Sequence, residues 1–198
     1  MAALLKRLND ELAELAATAR ASLVQIQNGG HGAGAGTIWH ADGLILTNAH
    51  VADHRQLRIT IPDGRTLPAR LLAHDPALDL AALVVDAKGL PVMSLGDSRR
   101  LSPGQWVMAL GHPWGVEGAL TAGVVIGMGK PIGGPISRGE WVTVSLHLRP
   151  GHSGGPLVDV DGRLVGINTM MAGPDVGMAV PVHVVKAFLR QLLGKQSD

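Results

Sequence analysis

Two patterns of apolar and polar positions divide this chain into an N-terminal stretch and a longer body. Over residues 2 to about 20, an apolar residue recurs at every third or fourth position, and charged residues lie between these positions. These apolar positions are Leu5, Leu8, Leu12, Leu15 and Ala19. The spacing predicts an amphipathic helix that docks on the body. The same spacing is typical of a coiled coil, so a contact between subunits is the alternative.

From Ser22 onward the apolar residues form short runs, separated by turn signals such as Asp42-Gly43, Asp63-Gly64 and Asp161-Gly162. Each run has the length and residue types of a β-strand. Before the polar segment Gly96–Gly104, the predicted strands are Leu23–Gln27, Gly36–His40, Leu44–Thr47, Leu57–Ile61, Ala69–Ala73 and Ala81–Val85. After it, the predicted strands are Trp106–Leu110, Ala119–Met128, Glu140–Leu146, Leu157–Val160, Leu164–Thr169 and Gly177–Val180.

Two series of six strands predict an all-β fold of two packed six-stranded β-barrels with a helix at each end. The predicted segments are an N-terminal helix (residues 1–20), a first barrel (21–100), a second barrel (101–182) and a C-terminal helix (183–198). Within the last segment, His183–Leu193 has the amphipathic pattern of a short helix.

Two glycine-rich tracts are predicted to be connections. The tract Gly29–Gly36 consists of small residues that offer little side chain to a core, and no GKS or GKT follows it as in a phosphate-binding loop. We therefore expect it to be a flexible hairpin connection. The segment Gly129–Gly139 contains two prolines and is predicted to be a mobile loop.

Composition and charge exclude several classes of protein. Apolar residues make up 46% of the chain and charged residues 17%, which is typical of a globular protein. The net charge is +1 and no long basic run is present, which argues against nucleic-acid or membrane-surface binding driven by charge. The chain contains no cysteine, so thiol catalysis, thiolate metal sites and disulfides are excluded.

The N-terminal sequence predicts no signal peptide, because Lys6 and Arg7 directly follow the first leucines. No apolar run is long enough for a membrane-spanning helix, so membrane insertion is not expected. The chain as it stands is expected to be cytoplasmic, or periplasmic or extracellular if a leader has been removed.

The segment Arg149–Leu157 holds the first candidate for chemistry. It places Ser153 between glycines, with Pro150 and Pro156 on the outer sides. This composition predicts a tight loop that presents one hydroxyl and several backbone N–H groups to a common point. A serine hydroxyl is a weak nucleophile until a base accepts its proton, so the loop needs a histidine and a carboxylate from elsewhere.

The best candidates for these partners are His50 and Asp79. His50 lies where a predicted strand ends in a turn of small residues, and Asp79 lies directly before an apolar strand. A buried aspartate at that place needs a partner, and an imidazole N–H is suitable. In a serine triad Ser153 Oγ would attack a scissile carbonyl, His50 would relay the proton, and Asp79 would fix the imidazole tautomer. The N–H groups of Gly151 and Ser153 would form the oxyanion hole.

Six segments together resemble the trypsin-like serine proteases of the HtrA (Deg) type, which have the chymotrypsin fold. Two are similar to the histidine and aspartate motifs, one to the family's Gly-Asn-Pro-Phe-Gly turn and one to its Gly-Asn-Ser-Gly-Gly-Pro-Leu nucleophile motif. The last two lie near the end of the second barrel. In chain order the six segments are Leu44–Val51, Asp75–Ala81, Leu110–Gly115, Gly151–Leu157, Gly166–Thr169 and Gly177–Pro181.

The resemblance implies a serine endopeptidase that cleaves unfolded or misfolded proteins through an acyl-enzyme in a cleft between two barrels. Its partners would be polypeptide substrates, it would need no cofactor or metal, and a homotrimer through the N-terminal region is common in the family. The resemblance places Thr169, Met170 and Met171 along the substrate-binding strand. Leu148, Met170 and Met171 would line the pocket for the side chain before the cleaved bond. No acidic residue falls there, which predicts a preference for medium-sized apolar side chains.

Three departures from the family pattern are present. His152 stands where the family has Asn, and Ser145 stands where it commonly has Asp. His152 could hold the loop in an inactive form or make activity depend on pH. No PDZ domain is expected after the protease domain. The alternative function is therefore a peptide-binding or regulatory module with little turnover.

Two further alternatives have little support. An α/β-hydrolase elbow needs a helix after the serine, and Pro156 and the following hairpin leave no room for one. A zinc site could use His50 and His54, but Val51 stands where that motif requires Glu.

Overall fold

Twelve strands close into two antiparallel barrels of six strands each in the computed structural model, which describes residues 1–29, 33–53, 56–130 and 139–194. The first barrel has the strand order β1-β2-β3-β6-β5-β4 and the second has the order β10-β11-β12-β9-β8-β7. In the first barrel the strands are β1 (Leu23–Asn28), β2 (Ala33–His40), β3 (Leu44–Thr47), β4 (Leu57–Thr60), β5 (Thr66–Asp75) and β6 (Leu80–Val85). In the second they are β7 (Trp106–Gly111), β8 (Ala119–Gly129), β9 (Trp141–Ser145), β10 (Pro156–Asp159), β11 (Leu164–Gly173) and β12 (Val176–Pro181).

A helix lies at each end of the chain, α1 (Ala2–Arg20) and α2 (Val182–Gly194). The predicted all-β fold with two six-stranded barrels and two terminal helices is confirmed. The division into segments 1–20, 21–100, 101–182 and 183–198 stays a prediction. No helix in the described ranges combines the length and the hydrophobicity needed to cross a membrane.

Each barrel encloses its own apolar core, and a third core joins the barrels. Alternate positions of the strands point inward, as the period of two predicts. Fully buried residues of the first core include Ile26, Ile38, Ile45, Ile59 and Leu83. Those of the second include Val107, Ala109, Val142, Val144 and Leu157. The core between the barrels includes Leu46, Leu80, Leu110, Trp141 and Ile167, so residues of both barrels meet directly behind the cleft.

Among the described residues, the helix α1 contacts the body in its C-terminal half. Ala19 is fully buried, and Arg20 Nε donates a hydrogen bond of 2.6 Å to the carbonyl oxygen of Gly118. The predicted apolar stripe is exposed in its first half, where Leu5 and Leu8 are 58% and 51% exposed. The predicted docking therefore holds for the last part of the helix, and the subunit contact stays a prediction.

The glycine tract before Thr37 is not only a connection, which corrects the sequence prediction. Ala33–Gly36 belong to β2 and pair with β1, while residues 30–32 lie outside the described ranges. A Cβ on Gly36 would lie 2.8 Å from Val24 Cγ2 and 2.9 Å from Ile45 Cγ2, so the small residue lets the strand enter the core. The predicted loop over 129–139 falls mainly on residues 131–138, which also lie outside the described ranges.

The helix α2 covers the core between the barrels with Val185, Phe188 and Leu189. Its first turn is held by Ser98, which is fully buried. Ser98 Oγ accepts a hydrogen bond from the His183 backbone N–H at 3.2 Å and lies 2.9 Å from His183 Nδ1. The helix begins one residue before and ends one residue after the predicted range.

Candidate active site

A cleft of about 760 Å³ lies where the two barrels meet, and residues of both barrels line it. The first barrel contributes His50 and Asp79 to the lining, and the second contributes Ser153. The three residues proposed from the sequence as a triad therefore share one cleft. The other lining residues are Ala49, Asp53, His74, Pro76, Leu148, Arg149, Pro150, Thr169, Met170 and Met171.

His50 and Asp79 are joined by a close hydrogen-bonded contact. His50 Nδ1 lies 2.9 Å from Asp79 Oδ2 and 3.0 Å from Oδ1, and the His50 backbone N–H donates to Oδ1 at 3.1 Å. A carboxylate accepts hydrogen bonds, so Nδ1 carries the proton and the Nε2 lone pair is free to act as a base. The His50 side chain is about half exposed, whereas that of Asp79 is 5% exposed.

Local turns hold these two groups in place. His50 follows β3 in a turn where the N–H groups of Val51 and Ala52 donate to the carbonyl oxygen of Asn48. Asp79 closes a second turn, begun by Asp75, whose Oδ1 accepts the N–H groups of residues 77 and 78. Asp79 has φ +51°, a left-handed conformation that aspartate tolerates better than most residues.

The Asp79 carboxylate has a third partner in the second barrel. Thr169 Oγ1 donates a hydrogen bond to Asp79 Oδ2 at 2.9 Å. The buried negative charge is thus met by two donors from His50 and one from Thr169, which compensates for the water it has lost. Thr169 was predicted from the resemblance as a substrate-strand residue, and this contact to Asp79 was not predicted.

Ser153 lies on the loop before β10, and its hydroxyl faces Thr169. Ser153 Oγ donates to the carbonyl oxygen of Thr169 at 2.8 Å. In the described part of the chain no hydrogen bond joins this hydroxyl to His50. A rotation about the Ser153 side-chain bond is therefore needed before His50 can accept its proton.

The loop around Ser153 leaves two backbone donors without partners. His152 N donates to Arg149 O at 2.9 Å, Gly154 N to Asn168 O at 2.9 Å and Gly155 N to His152 O at 3.0 Å. Within the ranges described, the N–H groups of Gly151 and Ser153 make no hydrogen bond. These are the two groups predicted as the oxyanion hole, and they are available to a ligand.

Close backbone contacts fix the position of Gly151. It has φ +105°, and a Cβ there would lie 2.6 Å from the carbonyl oxygen of His112. His112 N in turn donates to Gly151 O at 2.8 Å. The loop is therefore held against the segment after β7 by contacts that only glycine allows.

His152 is buried beside this loop, with 2% of its surface exposed. Its Nδ1 lies 3.1 Å from the Arg149 backbone nitrogen and 3.2 Å from the Arg149 carbonyl oxygen, and its Nε2 has no partner among the described residues. Burial lowers the pKa of His152, and the charges of Arg149, His112 and His147 act in the same direction. Burial therefore disfavours the charged form of His152, although its backbone hydrogen bond to Arg149 acts in the opposite direction.

The predicted pocket residues surround the cleft on the Ser153 side. Leu148 is 5% exposed and lies over Gly177, where a Cβ would come within 3.1 Å of Leu148 Cγ. Met171 Sδ accepts a hydrogen bond from the Leu148 N–H at 3.2 Å. Met170 also lines the cleft, which gives this wall an apolar, sulfur-rich surface.

Two other positions, His147 and Ser145, lie near this region. His147 Nδ1 lies 2.6 Å from Asp175 Oδ1 in an exposed pair at the β11–β12 turn. Ser145 is the last residue of β9 and pairs with Val124 and Val176. It does not line the cleft.

Three contacts near the site were missed by sequence reasoning. Asn48 is fully buried and donates hydrogen bonds to Thr169 and Asp79. Arg149 lies 4.8 Å above the ring of Trp114, a residue with φ +54° that is 74% exposed. The position of Asn48, two residues before the candidate base, could have marked it as part of the site. Its partner Thr169 on β11 is distant in the sequence, so the contact itself could not be predicted.

No group of three or more His, Asp or Glu residues is placed to hold a metal ion in the ranges described. His54 of the alternative zinc site lies outside them.

Comparison with known proteins identifies the family of this chain. A family model described as "Trypsin-like peptidase domain" matches residues 34–167. The chain is 34% identical over 170 residues to "Putative serine protease HhoB" of Synechocystis, covering 83% of this chain and 41% of that protein. It is 37% identical over 163 residues to "Serine protease HTRA2, mitochondrial" of Bos taurus, covering 80% and 36%. It thus spans about two fifths of the length of these curated relatives.

A solved structure, "HtrA-type protease AlgW with tripeptide", superposes with a TM-score of 0.85 at 31% identity. The match covers 91% of this chain and 62% of that one. Sequence relatives, family model and solved structure all indicate the same group. The chain belongs to the trypsin-like peptidase family and is an HtrA-type serine protease domain.

Proposed function

We propose that this domain is a serine endopeptidase in which Ser153 is the nucleophile, His50 the general base and Asp79 the group that orients His50. The observation that carries the proposal is the contact of 2.9 Å between His50 Nδ1 and the buried Asp79 carboxylate. This contact leaves His50 Nε2 as a free base in the cleft that also holds Ser153. A binding surface has no need of such a base.

The reaction begins when the Ser153 hydroxyl turns from Thr169 O toward His50 Nε2. Ser153 Oγ attacks the carbonyl carbon of the scissile peptide, its proton passes to Nε2, and the carbonyl oxygen becomes an oxyanion. The free N–H groups of Gly151 and Ser153 bind that oxyanion. Loss of one such donor typically costs about 3 kcal/mol in the transition state.

Collapse of the tetrahedral intermediate breaks the C–N bond, and His50 gives the proton from Nε2 to the leaving amine. The acyl group remains as an ester on Ser153 Oγ. A water molecule then attacks this ester and gives its proton to His50 Nε2. The bond between the acyl carbon and Ser153 Oγ breaks, Ser153 takes the proton from His50, and the second product leaves as a carboxylic acid. Asp79 stays ionised throughout and stabilises the imidazolium.

The pocket supports a preference for medium-sized apolar side chains before the cleaved bond, such as Val, Ala, Leu or Met. Leu148, Met170 and Met171 form an apolar wall with no acidic residue. The thioethers of Met170 and Met171 make this wall adaptable. Because the cleft lies open between the barrels, extended segments of unfolded or misfolded proteins are the proposed substrates.

One observation favours a second candidate, a peptide-binding or regulatory module with little turnover. The Ser153 hydroxyl is bonded to Thr169 O and not to His50. Catalytic hydrogen bonds are often misaligned until substrate binds, so this bond does not exclude turnover. It makes a direct test of Ser153 reactivity necessary.

The test is labelling with a fluorophosphonate probe, together with cleavage of unfolded casein, between about pH 5 and about pH 9. The wild-type protein is expected to be labelled and to cleave casein, and Ser153→Ala is expected to do neither. His50→Ala keeps the hydroxyl but removes the base, so it separates general-base activation from simple accessibility. A wild-type protein that binds casein without labelling or cleavage would establish the binding-module function instead.

A further inference from the structure

The Asn48 side chain joins the two barrels directly behind the candidate triad. Asn48 is fully buried and lies two residues before His50. Its Nδ2 donates a hydrogen bond of 2.6 Å to Thr169 Oγ1 and one of 3.0 Å to the carbonyl oxygen of Asp79. One side chain therefore contacts the backbone of the candidate carboxylate and the threonine that donates to it.

The directions of these hydrogen bonds follow from the groups involved. The carbonyl oxygen of Asp79 can only accept, so the NH₂ of Asn48 must face it. Thr169 has one hydroxyl proton, which goes to Asp79 Oδ2, so Thr169 Oγ1 accepts from Asn48. The result is a one-way chain of donation from Asn48 through Thr169 to the Asp79 carboxylate.

Thr169 is the residue through which this chain acts on both halves of the site. Its hydroxyl contacts Asp79 of the first barrel, and its carbonyl oxygen accepts the hydrogen bond of Ser153 in the second. Fixing Thr169 therefore fixes Asp79, and with it His50, relative to the second barrel that carries Ser153. Misplacement of such groups by about 1 Å can cost about 100-fold in rate.

Asn48 also carries an unfavourable feature. Its Oδ1 is buried and has no partner among the described residues. A buried unpaired acceptor is destabilising, and an apolar residue would not introduce one. The contribution of asparagine at this position is therefore its two donated hydrogen bonds.

We propose that Asn48 is a positioning residue that holds Thr169 and Asp79 in register across the barrel interface and so keeps His50 oriented toward Ser153. The proposal rests on the serine endopeptidase function proposed above. It assigns a role in the reaction to a residue that touches neither substrate nor the reacting atoms.

The test compares Asn48→Ala and Asn48→Ser with Asn168→Ala as a matched control. Asn168 is also fully buried, also has an unpartnered Oδ1, and also donates two hydrogen bonds from Nδ2, to Leu110 O at 3.3 Å and Pro156 O at 2.9 Å. Neither bond of Asn168 reaches His50 or Asp79. The control therefore measures the general effect of removing a buried asparagine.

We expect Asn48→Ala to lower kcat by about 10- to 100-fold on an apolar peptide substrate, with KM changed less than about 3-fold. The acid limb of kcat against pH should move to lower pH, because a loosened Asp79 stabilises the His50 cation less. The other titratable or charged groups lining the cleft are Asp53, His74 and Arg149, and these variants leave them unchanged. Asn168→Ala should lower Tm without moving the acid limb.

A second readout does not depend on turnover. The proton on His50 Nδ1 that is donated to Asp79 is expected to give a low-field ¹H NMR signal, which should shift or broaden in Asn48→Ala and persist in Asn168→Ala. If the wild-type protein is not labelled by the fluorophosphonate probe, the endopeptidase function fails, and this signal still tests the role of Asn48.

An unchanged kcat, acid limb and NMR signal in a folded Asn48 variant would overturn the proposal. Equal changes in the Asn168 control would also overturn it, since the effect would then be general loss of structure. Asn48→Ser is smaller but polar, and it provides the test if Asn48→Ala does not fold. If neither variant folds, Asn48 serves folding and the positioning role is wrong.

Discussion

Ser153 Oγ donates its hydrogen bond to the carbonyl oxygen of Thr169, the same residue whose hydroxyl donates to the Asp79 carboxylate. Thr169 thus contacts the candidate nucleophile with its backbone and the candidate orienting acid with its side chain. The proposed first step of the reaction is the release of Ser153 from this residue.

Asp79→Asn should abolish nearly all proteolysis while leaving the fold intact. An asparagine amide can donate a hydrogen bond to His50 Nδ1. The proton of the imidazole then lies on Nε2, so Nε2 can no longer act as the base. We expect kcat to fall by about 10⁴-fold, as for other triads altered in this way. Steady-state cleavage of an apolar peptide measures the loss, with thermal unfolding as the check on folding. A loss below about 10-fold would argue against Asp79 as the orienting residue.

His152→Asn should reduce the sensitivity of the fold to acid. Burial lowers the pKa of His152 in the folded protein, so the unfolded chain binds a proton there more readily. Stability is therefore complete above the ordinary histidine value of 6.5 and is lost as the pH falls from that value toward the lowered one. The groups that face His152 are Arg149, His112 and His147.

The measurement is Tm of the wild-type protein and the variant at about pH 7.5 and about pH 5.5. The fall in Tm should be smaller for His152→Asn. Some fall will remain, because burial also lowers the pKa of His112. The same fall in both proteins would show that His152 does not govern the acid response.

Gly177→Ala should shift the substrate preference toward smaller side chains. The added Cβ would lie 3.1 Å from Leu148 Cγ, so Leu148, which lines the cleft, must shift, and we expect the pocket to become smaller. Relative to cleavage after Ala, cleavage after Leu or Met should fall by about 10-fold, which is the typical effect of one methylene in an apolar pocket. A peptide library measures the profile.

Gly127→Ala is the control for this change. A Cβ on Gly127 of β8 meets no heavy atom within 4 Å. The cleavage profile of Gly127→Ala should therefore equal that of the wild-type protein. An unchanged cleavage profile for Gly177→Ala would mean that Leu148 and Gly177 do not shape the pocket for the side chain before the cleaved bond.

Gly36→Ala should destabilise the first barrel. The new Cβ would crowd Val24 and Ile45 at 2.8 and 2.9 Å in an otherwise close-packed core. Overpacking of this kind lowers the free energy of unfolding by about 1–3 kcal/mol. Urea unfolding measures the change, and Gly127→Ala again provides an unaffected comparison. Equal stability of both variants would mean that β2 does not enter the core as closely as described.

The strand pattern was predictable because most strands alternate apolar and polar residues or are continuously apolar. The segment 33–35, just before the predicted strand Gly36–His40, escaped this reasoning because the buried Gly34 and Ala35 have almost no side chain. Its place in β2 depends on pairing with β1 and on the fit of Val51 around Gly34, which are properties of the folded core.

The candidate site was predictable where chemistry depends on short motifs. His50, Asp79 and Ser153 each lie at a strand end in a recognisable local context. The roles of Thr169 and Asn48 were not predictable, because their contact joins residues 121 positions apart. The orientation of the Ser153 hydroxyl depends on a single side-chain rotation, which no sequence pattern specifies.

The order of the two barrels along the chain determines when the site can exist during synthesis. The first barrel, which carries His50 and Asp79, is synthesised before the second barrel, which carries Ser153 and Thr169. The second barrel closes only when β12, ending at Pro181, pairs with β9. In order of synthesis, the base and its orienting carboxylate therefore precede the nucleophile and the second barrel that carries it.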